Sequence, residues 1–171
     1  MKIFKSILLL ITLSCLGHDI ANADSTIYLV RHAEKQNDGT DDPHLTKRGH
    51  KRAEYLAQQL SFANITKIYS SNYHRTIETA KPLADLLGVS IELYDPKKLN
   101  EFVKSLNTLT GNILVVRHSN TTPNLTALLS GNTIDEMDES EYENLYQVVL
   151  INGKSRLTRF KIFPIDSILP K

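Results

Sequence analysis

Two stretches of the chain repeat one pattern. Ile27-Tyr28-Leu29-Val30 runs into Arg31-His32-Ala33-Glu34, and Ile113-Leu114-Val115-Val116 runs into Arg117-His118-Ser119-Asn120. Each is a short apolar run that ends in Arg-His and then a small residue. A neutral imidazole has a nitrogen free to attack or to accept a proton near neutral pH. If the two apolar runs are strands of an open α/β sheet, both imidazoles stand beyond the carboxyl ends, where such sheets bind ligands. The small residues after them leave room for another group beside the backbone. A zinc site needs three or four ligands, and no third His or Cys falls at a strand end. His44, His50 and His74 lie in loop or helix contexts and read as surface residues.

A third stretch, Tyr69-Ser70-Ser71-Asn72-Tyr73-His74-Arg75-Thr76-Ile77-Glu78-Thr79-Ala80, also leaves a strand and enters a helix. A helix N-terminus attracts anions. Arg75 adds a planar fork of donors that fits phosphate oxygens.

The elements that must position these residues alternate along the chain. After the first strand, Thr46 is placed to cap a helix whose Ala53, Leu56, Ala57 and Leu60 fall on one face. Lys47, Arg48, Lys51 and Arg52 read as its solvated face. Ile65 to Tyr69 is a second strand. The helix after it carries Ala80, Leu83, Ala84 and Leu87, is expected to break or kink at Pro82, and is closed by Gly88. Val89 to Leu93 is a third strand, and Leu99, Phe102, Val103 and Leu106 have helical spacing. Ile113 to Val116 reads as a central strand. A helix capped by Thr121 or Thr122, with Pro123 in its first turn, follows. Residues 132–144 hold six acidic side chains and read as an exposed loop. Val148 to Ile151 then meets Asn152-Gly153, a strong hairpin signal. This order predicts a three-layer αβα sandwich around a mostly parallel sheet with an antiparallel edge hairpin.

With these elements in place, the chain resembles the histidine phosphatase superfamily, which includes the phosphoglycerate mutases. Arg31-His32-Ala33-Glu34 resembles its RHG or RHA signature. Leu45-Thr46-Lys47-Arg48-Gly49 resembles its L-T-x-x-G helix entry. Ser70-Ser71, Arg75-Thr76 and Thr79-Ala80 resemble its S-S-x-x-x-R-T-x-x-T-A stretch, and Val115 to Asn120 resembles the strand carrying its second histidine. The resemblance spans residues 26–130 and implies a phosphoglycerate mutase-like fold. It also implies that His32 accepts a phosphoryl group, that Arg31, Arg75 and His118 hold the phosphate oxygens, and that no cofactor or metal is needed. Two positions depart from the pattern. Arg117 stands where the family commonly has glycine, and either points away from the pocket or adds charge and narrows the entrance. The proton donor lacks a motif: His118-Ser119 replaces the His-Asp of the acid-phosphatase branch. The mutase branch takes a glutamate from the region after the third strand, which assigns Glu101, with Asp95 as the alternative.

Composition bounds the function classes. The 171 residues are 41% hydrophobic and 23% charged, with a formal net charge of +1. That balance argues against bulk electrostatic binding to nucleic acid. No apolar run reaches the roughly 18 residues of a spanning helix. Residues 1–23 have the three parts of a secretory signal: Lys2 and Lys5, an apolar run from Ile7 to Leu13, and Ala21-Asn22-Ala23 as a cleavage site. The expectation is an exported protein, periplasmic or secreted, whose catalytic domain is 24–171. A lipid anchor at Cys15 is the less favoured alternative. The expected activity is a phosphatase acting on phosphomonoesters or on a phosphorylated protein. Its alternatives are a phosphotransferase or mutase of the same fold and a non-catalytic phosphate-binding module.

Overall fold

The computed structural model describes residues 24–162, so the signal-like segment and Cys15 lie outside the described residues. The first strand, β1 (Ser25–Arg31), leads through a polar loop to α1 (Lys47–Leu60). Thr46 caps α1 as its sequence predicts, its side chain accepting from the Gly49 N–H at 3.0 Å. β2 (Ile65–Ser71), α2 (His74–Leu87), β3 (Ile91–Tyr94), α3 (Leu99–Leu106), β4 (Gly111–Arg117) and α4 (Thr121–Ser130) follow in alternation. β5 (Asn144–Ile151) and β6 (Lys154–Lys161) follow as a hairpin, the last elements among the described residues. Asn152 and Gly153 both have positive φ there, the conformation a two-residue hairpin turn requires.

The six strands form one sheet in the order β3-β2-β4-β1-β5-β6. β3, β2, β4 and β1 run parallel, and β5 and β6 are antiparallel. β4 and β1 are therefore central, with neighbours on both sides. Successive side chains alternate between the two faces of the sheet. Val30, Leu114 and Val116 pack with Leu56, Leu60, Leu83 and Ala84 of α1 and α2. Ile27, Leu29, Ile113 and Val115 pack with Phe102, Leu106, Leu125 and Leu129 of α3 and α4. This is the three-layer αβα arrangement. Burial of each such side chain contributes roughly 1.5–3 kcal/mol, and the two apolar layers hold the strand ends of β1 and β4 at one level.

Three local expectations are corrected. α2 continues through Pro82 to Gly88, whose left-handed φ of 65° ends it. Pro82 removes one helical hydrogen bond, but Ala80, Leu83 and Ala84 around it are buried against the core, which offsets the loss. The N-cap of α4 is Asn120 and not a threonine; Thr122 instead donates to the His118 carbonyl at 2.8 Å. Arg52 is not on a solvated face. It is buried and donates to both Glu34 oxygens, at 2.7 and 2.9 Å, which no periodicity could have revealed.

Gly49 is where α1 meets the loop after β1. A Cβ at this position would lie 2.2 Å from the Glu34 carbonyl oxygen. Since the obstacle is backbone, accommodating it would push α1 away from the segment that carries His32. Gly49→Ala is expected to destabilise the fold by about 1–3 kcal/mol, read as a lowered midpoint in urea denaturation. An unchanged midpoint would mean that the close approach is not needed.

Candidate active site

β1 and β4 pair in parallel with Arg31 opposite Arg117. The His32 N–H continues the ladder, donating to the Arg117 carbonyl at 2.8 Å. The two imidazoles thus emerge side by side, with ring centroids 5.5 Å apart at an interplanar angle of 67°. Both line a cavity of about 480 Å³ that is open to solvent. Arg75, Tyr73, Lys35, Lys97 and Glu139 line it too.

His32 is almost fully buried. Its Nδ1 lies 2.7 Å from the Ala33 carbonyl oxygen. A carbonyl only accepts, so Nδ1 carries the proton and Nε2 keeps the lone pair. Burial pushes the His32 pKa down to about 3, and the fields of Arg31, His118 and Arg75 act in the same direction. His118 is pushed down to about 4, again chiefly by burial, with Arg75, Arg117 and Arg31 adding to it. Its Nε2 is held 3.0 Å from Ser71 Oγ, and its ring stands edge-on to Tyr73 at 5.0 Å. Ser71 is in turn bonded to Thr76 at the start of α2. Thr79 links the helix back to β1, accepting from the Ala33 N–H at 2.9 Å and donating to the Arg75 carbonyl at 2.7 Å. The hydroxyls of the Ser-Ser…Arg-Thr…Thr stretch therefore tie three strand ends together.

Arg75 projects from the first turn of α2 over the Tyr73 ring, 4.4 Å from its centroid. One guanidinium nitrogen reaches Asp42 and the Asp41 carbonyl at 3.3–3.4 Å, while its Nε is buried without a partner. Arg31 is placed differently from its expected role. It is buried beside His32 but does not line the cavity. Its Nη1 donates to the carbonyls of Asp138, Glu139 and Glu141, and its Nη2 to Glu139 Oε2 at 2.7 Å. Its Nε is buried and unpartnered. Arg117 does not narrow the entrance. It is fully buried, 5.3 Å from the Tyr94 ring, and its three guanidinium nitrogens have no hydrogen-bond partner. Burial lowers its pKa.

Glu101 is the expectation the structure does not support. It lies on an exposed face of α3, 3.8 Å from Lys98, and does not line the cavity. The helix buries Phe102 and Leu106, and that turns Glu101 outward. Asp95 borders a neighbouring cavity and accepts from the Lys97 N–H. The carboxylate at the site is Glu139, from the acidic stretch read as an exposed loop. Ser119 donates to it at 2.5 Å and holds its pKa down, with Arg31 adding to the effect. Nothing in the local sequence separates Glu139 from its acidic neighbours. Lys35 and Lys97 were also illegible, being ordinary lysines in polar loops until the fold brings them together. The site's donor set, two imidazoles among arginines and lysines, suits an anion and not a cation.

Residues 27–103 match the family model described as histidine phosphatase superfamily (branch 1). A relative named as a probable phosphoglycerate mutase, GpmB, from Enterobacter sp. (strain 638) is 38% identical over 77 residues, 42% of this chain and 35% of its own length. Phosphoserine phosphatase 1 of Hydrogenobacter thermophilus is 39% identical over 71 residues, 38% of this chain and 34% of its own. The chain thus spans about a third of the length of these curated relatives. Among solved structures, the protein histidine phosphatase SixA complexed with tungstate superposes with a TM-score of 0.66 at 21% identity, over 80% of this chain and 96% of that one. A phosphoglycerate mutase from Bacillus anthracis gives 0.64 at 14%, over 82% and 94%. The fold is the phosphoglycerate mutase-like one.

The low histidine pKa values link the site to stability. Between pH 6.5 and about 3 the unfolded chain protonates His32 and the folded one does not. Stability is therefore lost as pH falls through that window, by about 2 kcal/mol from His32 at pH 5. His44, whose pKa is raised by Glu78, works in the opposite sense from the exposed surface. Urea denaturation at pH 7 and pH 5 should show the decline, and His32→Gln should lessen it, leaving the part that His118 supplies. Residues 27–103 thus match the histidine phosphatase superfamily, and the fold around them is phosphoglycerate mutase-like.

Proposed function

We propose that the protein is a phosphatase that removes phosphate from phosphomonoesters or a phosphorylated protein through a phosphohistidine at His32. The observation that carries this is the neutral, buried His32. Its Nδ1 proton is committed to the Ala33 carbonyl, in a cavity shared with His118 and Arg75. The Nε2 lone pair attacks phosphorus, the phosphorus–oxygen bond to the leaving group breaks, and the leaving oxygen takes a proton from solvent. Water then attacks the phosphoramidate, the P–N bond breaks, and inorganic phosphate leaves with His32 regenerated. Splitting one displacement into two lowers each barrier. Arg75, His118 and the lysines stabilise charge on the transferred group, which dominates phosphoryl transfer.

Glu139 is held ionised, so it fits the role of base for the attacking water better than that of proton donor. The names of the relatives, a phosphoserine phosphatase and a protein histidine phosphatase among them, support hydrolysis on this fold. The open cavity sets no tight limit on the size of the leaving group. Release of inorganic phosphate, with none passed to a second hydroxyl, separates hydrolysis from mutase chemistry.

Labelled aryl phosphate followed by alkaline quenching should trap phosphate on His32, as an acid-labile, alkali-stable adduct. His32→Ala should lose both label and turnover; near-normal activity in that variant would remove the mechanism. In the same experiment Glu139→Gln should let the label accumulate, with turnover slowed about 100-fold.

We also propose export, on the strength of Lys2, Lys5, the Ile7 to Leu13 run and Ala21-Asn22-Ala23. N-terminal sequencing of protein from the native host should find Asp24 first. A lipid-modified Cys15 or an intact Met1 would overturn that order of processing.

A further inference from the structure

Outside the cavity, one cluster of side chains has no role in the chemistry above. His44 sits in the loop between β1 and α1, and His74 opens α2 with Glu78 one turn later on the same helix face. One ligand atom from each of the three lies within 4.8 Å of the others. The His44 and His74 rings stack, with centroids 4.2 Å apart at 24°. His44 Nδ1 is hydrogen-bonded to Glu78 Oε1, and His50 Nε2 lies 3.9 Å from the other Glu78 oxygen. Asp42 Oδ2 is 3.9 Å from His74 Nε2.

We propose that His44, His74 and Glu78 form a binding site for a zinc-class divalent cation. Two imidazole nitrogens and a carboxylate oxygen are a ligand set such ions prefer, whereas calcium and magnesium want oxygen alone. The site has its supports built in. Glu78 Oε2 accepts from the Leu45 N–H at 2.8 Å, and the His74 N–H donates to Asp42 Oδ1 at 2.8 Å, so backbone already orients both carboxylates. Gln36 N–H donates to the His44 carbonyl at 2.8 Å and fixes the loop. The proton that His44 holds against Glu78 stands where the ion would go, and binding displaces it. His50 and Asp42 are close enough to complete the shell. The ion would clip the β1–α1 loop to α2. Asp42 would then be shared between that clip and Arg75, which it contacts at 3.4 Å.

The test does not depend on the activity of the protein. Titration calorimetry of zinc chloride into the purified protein should give a saturable one-to-one isotherm. Its melting temperature should rise by about 5 °C or more at a hundredfold excess over Kd. His44→Ala/His74→Ala should weaken binding at least about 100-fold, and Glu78→Gln about 10- to 100-fold. The double histidine variant should melt near the wild-type temperature without metal, because both imidazoles are exposed, and Glu78→Gln, at a half-buried position, keeps an acceptor for the Leu45 N–H. His32→Ala/His118→Ala should keep the isotherm. The proposal is overturned if no saturable binding is seen. It is equally overturned if the first two variants bind as wild type, or if the ion is lost only with the His32 and His118 pair.

Discussion

Everything at the site depends on the parallel register of β1 with β4. Arg31 opposite Arg117 puts His32 and His118 at the same height on adjacent strands. A slip of one residue would send one imidazole to the other face of the sheet. The His32 N–H to Arg117 carbonyl bond extends the ladder one step past the last paired residues and fixes the histidine backbone. Both strands are central and buried on both faces, so the apolar layers resist such a slip from either side.

The second constraint is electrostatic. Arg31, Arg75 and Arg117 surround the buried His32 and half-buried His118 imidazoles. Burial first, with the fields of these arginines added, disfavours charge on either ring, so both stay neutral, and a neutral ring is the one with a lone pair to offer. Glu34 supports this frame without entering the cavity. Burial works against its ionisation, but the hydrogen bonds from Arg52 prevail and keep its pKa low. That ion pair and the approach of Gly49 fasten α1 to the chain just beyond His32.

The parts of this structure that were legible in sequence are those that repeat or that end in punctuation. Alternating apolar runs, the Thr46 cap, Gly88 and Asn152-Gly153 gave the elements and their order. The twin Arg-His pairs marked the two strand ends. The illegible parts depend on where loops land. Glu101 and Glu139 are both glutamates outside the strands, and only the packing of Phe102 and Leu106 turns one away. The carbonyls gathered by Arg31 bring the other in. His44, His50 and His74 are indeed at the surface, as their contexts suggest, but sequence distance hides that they meet around Glu78.

The positive charge at the site comes in two kinds. Lys35 and Lys97 stand at the exposed rim of the cavity, and Arg31 and Arg117 lie buried behind the histidines. Dissolved ions screen exposed charges over about 8 Å at physiological ionic strength but reach buried ones far less. Attraction of an anion from a distance therefore fades as salt is added, since the rim supplies it. The hold on an anion seated in the cavity would come from the largely buried Arg75 in its wall and from the arginines behind it, and would survive. Ionic strength would thus govern how fast an anion arrives far more than how firmly it stays.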